Sequence, residues 1–168
     1  MRPYFEKMQD FGQELKAGQI KSTEANVGKL KEVEAQVDEA AQKVKERGLP
    51  TEKINARGQM TVWQRLEYLV DEGTWCPLHS LYNPESNVEG TNNIVDGLGK
   101  ISGKWAVIIG FDNKVFAGAW LPGQAENVFR CTDLATRLNI PVVWLVNCSG
   151  VKLTEQEKFY GDRRGSGT

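Results

Sequence analysis

The chain has 168 residues, 40% of them hydrophobic and 26% charged, which suits one ordinary soluble domain with a real core. Twenty-one Lys and Arg against 22 Asp and Glu leave a net charge of −1, so there is no general attraction to nucleic acid or to an anionic membrane surface. No apolar run approaches the ~20 residues of a membrane span, and the N-terminus opens onto an amphipathic segment rather than a signal peptide.

In chain order, Phe5, Met8, Phe11 and Leu15 recur at helical spacing within residues 1–20. A second helix follows, in which Leu30, Val33, Val37, Ala40 and Val44 alternate steps of three and four, until Gly48-Leu49-Pro50 stops it. Two readings of this region stand side by side: an antiparallel helical pair packed on its own protein, or a contact with another copy or a partner. Residues 51–60 read as a linker. Thr61-Val62-Trp63-Gln64 fits a capping box, opening a helix that runs through Leu66, Leu69 and Val70 and closes at Gly73. A short strand is expected between Trp75 and Leu81, and a loop over Asn83-Pro84-Glu85-Ser86-Asn87.

The densest β signal comes next. Ile94–Ile101 and Trp105–Phe111 flank Ser102-Gly103-Lys104 and predict a hairpin. Gly97 and Gly99 in its first strand predict a close backbone approach or a bulge rather than a nucleotide loop. Asp112-Asn113-Lys114 turns into an extended stretch from Val115 to Trp120. A helix over Gln124–Leu138 presents Val128, Cys131, Leu134 and Leu138 on one face, and Pro141 leads into another strand. Strand, helix and strand make a βαβ crossover, expected to be right-handed.

That last strand, Val142-Val143-Trp144-Leu145-Val146, is an apolar run expected to be buried and parallel. It ends in Asn147-Cys148-Ser149-Gly150-Val151-Lys152. Ligands of open α/β sheets gather beyond the carboxyl ends of the strands, and a Ser-Gly turn there exposes backbone N–H groups that can face a ligand oxygen. The simpler reading of Ser149-Gly150 is a strand-to-loop turn. The tail, residues 161–168, has no apolar anchor and reads as a mobile loop, which suggests the N-terminal portion of a longer protein.

Side-chain chemistry is sparse. Cys76, Cys131 and Cys148 are widely spaced and odd in number, as expected of free thiols in a reducing cytoplasm. There is no Cys-x-x-Cys, and His79 is the only histidine, so neither a metal motif nor a Ser-His or Cys-His nucleophile pair is present unless a second chain supplies residues. Cys148 reads as a small core residue and His79 as a packing or surface residue.

From Gln64 onward the ordered phrases resemble the biotin-dependent acyl-CoA carboxyltransferases, which have the crotonase-like fold. The phrases are Leu69-Val70-Asp71-Glu72-Gly73; Gly97-Leu98-Gly99-Lys100-Ile101-Ser102-Gly103; Phe111-Asp112-Asn113-Lys114-Val115-Phe116-Ala117-Gly118; and Asn147-Cys148-Ser149-Gly150-Val151. The last stands where the family has an Asp-Ser-Gly-Gly-Ala oxyanion turn, of which only Gly150 is kept. With the N-terminal helices and Lys152-Leu153-Thr154-Glu155-Gln156, the pattern is most similar to the sodium-pumping decarboxylases of the family, and next to its methylcrotonoyl-CoA carboxylases.

The resemblance implies an α/β fold: a helical N-terminal segment over 1–59 and the first part of a crotonase-like carboxyltransferase N-domain over 60–168. It implies transfer of CO2 from glutaconyl-CoA to biotin, leaving crotonyl-CoA, with a dienolate held by backbone donors; a carboxylase β-type subunit or a non-catalytic assembly module is the alternative. Gly150 and the Val151 N–H are the expected oxyanion site. Lys114, Val115, Phe116, Ala117, Gly118, Ser149, Lys152 and Leu153 are the expected CoA contacts, with Arg130 as a further candidate for the phosphates. The expected cofactors are biotin on a separate carrier subunit and a CoA thioester, with no metal in this chain. The expected partners are that carrier, a membrane sodium-pump subunit and further copies of the chain, but no nucleic acid, in a cytoplasmic complex peripherally attached to the membrane. A second oxyanion donor and the biotin pocket are expected beyond these residues, so the 168-residue chain alone should be inactive.

Overall fold

The computed structural model describes residues 14, 16–83 and 92–158. The first predicted helix, most of the loop after Asn83 and the tail fall outside them. The chain divides into two compact units, Met1–Asp38 and Glu39–Thr168. In the first, the described structure is the N-terminal part of α1 (Ala17–Glu46), a 30-residue helix rich in Ala, Lys, Glu and Gln. Its Leu30, Val33 and Val37 are all exposed.

In the second unit, the last turns of α1 bury Val44. The helix stops at Gly48, whose φ is +79°. The expected linker instead contains a one-turn helix, α2 (Thr51–Asn55), because Ile54 is an apolar anchor only 2% exposed. The capping box forms as read: Gln64 N–H donates to Thr61 Oγ1 at 3.2 Å, and Thr61 N–H donates to Gln64 Oε1 at 2.9 Å. It opens α3 (Val62–Leu69).

α3 ends a turn earlier than predicted, with Val70 already extended. The reason lies in the hairpin. Asp71 N–H donates to the Lys100 carbonyl at 2.8 Å, and the Asp71 carboxylate accepts from Ser102 N–H at 3.0 Å and Gly103 N–H at 2.7 Å. These bonds hold Asp71 beside the hairpin turn and draw the chain out of the helix.

Strands β1 (Cys76–Leu78), β2 (Ile94–Ile101), β3 (Lys104–Phe111) and β4 (Val142–Leu145) form one sheet in that spatial order. β1–β2 and β2–β3 are antiparallel; β3–β4 is parallel. Register runs from Ile94 opposite Phe111 to Ile101 opposite Lys104. The connecting residues Ser102 and Gly103 both have positive φ, as a type I′ turn requires. The predicted close approach at Gly97 is present: an added Cβ would lie 2.5 Å from the Trp75 ring and 2.6 Å from the Cys76 carbonyl oxygen.

One sheet face packs Val95, Ala106, Ile108 and Leu145 against Val62 and Leu66 of α3. The other packs Ile94, Val107, Ile109 and Phe111 against Cys131 and Ala135 of α4 (Gln124–Leu138). Leu138, expected on that inner face, is exposed. The crossover links β3 to β4 through α4. The stretch from Val115 to Trp120 is not its first strand: it contains a 3-10 turn over Phe116–Gly118, and only Trp120 pairs, in a single parallel bridge to Val151. β4 is parallel as read but is not buried through its length, since it lies at the end of the described sheet and leaves Trp144 exposed.

Candidate functional site

Parallel pairing of β3 and β4 brings their carboxyl ends to the same side, so the loops that leave Phe111 and Leu145 meet. The root of the first loop is buried. Asp112 N–H donates to the Asn93 carbonyl, and Asp112 Oδ1 accepts from Lys114 N–H at 3.1 Å. Asn93 Nδ2 donates to the Val115 carbonyl at 3.1 Å, and Asn113 Nδ2 to the Met60 carbonyl at 3.1 Å. Arg47 Nε stands 3.8 Å from Asp112 Oδ2, with both side chains buried. Burial pushes the Asp112 carboxyl above its ordinary pKa, against the lowering effects of the Lys114 N–H and the two cations.

Lys114 and Val115, expected to face CoA, are turned inward. The Lys114 ammonium donates to the carbonyls of Lys45 at 2.8 Å and Glu46 at 3.3 Å, a cation at the C-terminus of α1. Neither a phosphate contact nor a solvated surface charge describes it. Val115 is buried.

Past Val115 the loop becomes exposed and strained. Phe116, Ala117 and Gly118 have φ of +47°, +51° and +73°. Two non-glycine residues in the left-handed region cost on the order of 1–3 kcal/mol each, and such strain concentrates at ligand sites. Gly118 is obligatory, because an added Cβ would lie 1.8 Å from the Asn147 carbonyl oxygen. That approach seats the first loop on the second. Ser149 Oγ donates to the Phe116 carbonyl at 3.2 Å, and the Lys152 ammonium stands 4.7 Å over the Phe116 ring while pairing with Glu155. Thus Phe116, Gly118, Ser149 and Lys152 converge. Leu153 is 75% exposed, and Arg130 is held by Glu126 at 2.9 Å and stacked over Tyr82.

The bridge at Trp120 orients the turn. Trp120 N–H donates to the Gly150 carbonyl at 2.8 Å, and the Trp120 carbonyl accepts from Lys152 N–H at 3.1 Å. In a parallel bridge of this pattern the residue between the two partners turns its own N–H away. That residue is Val151, and no described residue accepts its N–H. Gly150 has φ of +105°, and the space an added Cβ would occupy there is open. Its glycine is therefore required by conformation rather than by crowding from the described chain. Gly150 N–H donates to the Cys148 sulfur at 3.4 Å, and Cys148 is exposed rather than a core residue.

Sequence reasoning missed Trp120 and Asn147 as organisers of this site. Trp120 had no visible signal, since its bridge partner lies across the whole of α4. Gly118 was a partial signal for a close approach but not for what approaches.

Comparison with known proteins gives three consistent results. The carboxyl transferase domain family matches residues 53–168. The chain is 45% identical, over its whole length, to glutaconyl-CoA decarboxylase subunit alpha of Acidaminococcus fermentans, of which it covers 28%. It is 30% identical over 139 residues to the methylcrotonoyl-CoA carboxylase beta chain of Dictyostelium discoideum, covering 74% of this chain and 22% of that one. The chain thus spans under a third of the length of these relatives. Among solved structures, the transcarboxylase 12S hexamer with methylmalonyl-coenzyme A aligns with a TM-score of 0.67 at 20% identity, over 76% of this chain and 27% of that one. The P. aeruginosa geranyl-CoA carboxylase beta subunit aligns with a TM-score of 0.61 at 23% identity, over 94% and 29%. The fold is that of the crotonase-like carboxyltransferases.

Proposed function

The chain belongs to the carboxyl transferase domain family, and from that premise we propose that it forms part of the carboxyltransferase component of a biotin-dependent, sodium-pumping decarboxylase acting on glutaconyl-CoA. The observation that carries this reading is the likeness of the whole of this chain to part of the decarboxylase subunit. Residues 1–59 are then a helical segment and residues 60–168 the first part of the crotonase-like domain.

In the reaction, the bond between the terminal carboxyl carbon and the adjacent methylene breaks. CO2 departs, and the electron pair moves through the double bond into the thioester, leaving charge on the thioester oxygen. Protonation of the former methylene gives crotonyl-CoA. Biotin on a separate carrier subunit supplies the CO2 acceptor. This chain contributes the Val151 N–H, which the Trp120 bridge leaves unused, as a preorganised donor to that oxygen. Phe116, Ala117, Gly118, Ser149, Lys152 and Leu153 make the CoA side of the site. Lys114 and Val115 support it from within, by holding the loop on α1 and Asn93.

On this reading the partners are acyl-CoA, the biotin carrier, further copies of the chain and a membrane sodium-pump subunit, through which a cytoplasmic complex attaches peripherally to the membrane. No described helix is itself long and apolar enough to cross one. The likeness to a methylcrotonoyl-CoA carboxylase beta chain favours, as a second reading, an acyl-CoA carboxylase that uses the same donor in the opposite direction. Calorimetric titration of the full-length enzyme with glutaconyl-CoA and crotonyl-CoA, together with assays of transfer to free biotin, tests both. Binding of both thioesters and transfer from glutaconyl-CoA are expected. Preference for methylcrotonoyl-CoA carboxylation selects the second reading, and no thioester binding by folded enzyme removes both.

A further inference from the structure

One group of three potential metal ligands converges among the described residues: His79, Asp96 and Cys131. They come from three places in the fold, namely the end of β1, the middle of β2 and the inner face of α4. His79 Nδ1 stands 3.2 and 3.3 Å from the two Asp96 carboxylate oxygens, and all three ligand atoms lie within 4.8 Å of one another. Asp96 is 2% exposed and Cys131 fully buried, whereas the His79 side chain keeps a fifth of its surface in solvent. The site is thus closed on the protein side and open at the histidine.

We propose that His79, Asp96 and Cys131 form a binding site for one divalent cation of the zinc class, with a fourth position open to water. The donor set is one imidazole nitrogen, one carboxylate oxygen and one thiolate, which suits a borderline-soft cation and excludes magnesium or calcium, whose ligands are oxygens. Two further observations support it. His79 is a non-glycine residue at φ +46°, a conformation maintained only when the surroundings hold it, and it turns the ring onto Asp96. Asp96 and Cys131 are also buried side by side, and no described Lys or Arg is paired with either. A bound cation would offset the burial of the carboxylate and displace the thiol proton to solvent.

Hydrogen bonds hold the carboxylate in turn. Asn127 Nδ2 donates to Asp96 Oδ2 at 2.8 Å, which leaves Oδ1 for the metal. Asn127 Oδ1 accepts from Asn92 Nδ2 at 2.7 Å, the Asn92 carbonyl accepts from Gln124 Nε2, and Gln124 Oε1 accepts from Leu121 N–H at 3.0 Å. This chain of bonds runs from the ligands to the residue after Trp120. The role assigned to the cation is structural: it ties β1, β2 and α4 together beneath the loop that carries the Trp120 bridge.

The test is metal analysis of the full chain, stripped with chelator and reloaded with Zn2+ or Co2+. One Zn2+ per chain is expected, with a rise in thermal midpoint. Co2+ should give a thiolate-to-cobalt charge-transfer band in the near ultraviolet. Cys131→Ala should abolish the band. His79→Asn, which tolerates the positive φ, should weaken Zn2+ binding by more than the ~10–100-fold that loss of an outer partner costs. Failure to bind Zn2+ stoichiometrically overturns the proposal and leaves a hydrogen-bonded trio. So does stoichiometric binding that survives Cys131→Ala, since it then belongs to the exposed thiols Cys76 and Cys148.

Discussion

Val151 and Gly118 illustrate how much a single backbone position decides here. The Trp120 bridge uses the Gly150 carbonyl and the Lys152 N–H, so proline at 151 removes a donor without removing a bridge bond. Val151→Pro in the full-length enzyme is expected to lower the transfer rate by about 10²–10³, read as kcat with acyl-CoA affinity retained. An unchanged rate rules Val151 out as a donor. Gly118→Ala should cost more than the ~1–3 kcal/mol of left-handed strain, because the new methyl meets the Asn147 carbonyl. A urea midpoint equal to that of the parent protein would show that the two loops do not meet in this way. Both residues could be singled out from sequence through the family phrases that contain them. Lys114 could not be placed so, because its charge looks like a surface charge until α1 ends beside it.

Helix boundaries followed local chemistry where that chemistry was unopposed. Thr61 and Gln64 satisfy each other's backbone whatever surrounds them, so the start of α3 was legible. Thr61→Ala should destabilise by about 1 kcal/mol in chemical denaturation. The end of α3 was not legible, because Asp71 serves a hairpin some thirty residues on. α2 was missed for a related reason: a five-residue helix has little intrinsic stability, and Ile54 earns its place only through burial. In α1 the heptad spacing was real, yet Leu30, Val33 and Val37 are exposed. Leu30→Lys is therefore expected to change stability by no more than ~0.5 kcal/mol. A larger loss would mean that the face is covered in solution.

Across the whole molecule, electrostatic cost is concentrated in buried acids. Among the described residues the basic groups facing Asp112 are Arg47 and Lys114, yet desolvation prevails and its folded pKa lies above its unfolded value. Between those two values the native state binds more protons than the unfolded state, so stability falls as pH rises through the window above about 4 and recovers on acidification from its upper end. Asp112→Asn keeps an oxygen for the Lys114 N–H and removes the titration. In urea melts across that window, the parent protein should therefore lose stability relative to the variant as pH rises. Parallel pH profiles for the two proteins would contradict this.

The sequence by itself determined the α/β class, the hairpin and its turn, the extent of α4 and the strand leading to the Gly150 turn. Each depends on periodicity or on residues a few positions apart, and the ordered phrases pointed to the family. Only the tertiary structure decided what faces what. Parallel pairing across α4 seats Phe116–Gly118 on Asn147 and leaves the Val151 N–H out of the Trp120 bridge. The same packing brings His79, Asp96 and Cys131 within 4.8 Å of one another, though they share no motif spacing. Such contacts are settled by packing between distant elements, whose free energy does not depend on neighbours in the chain and so leaves no local pattern to read.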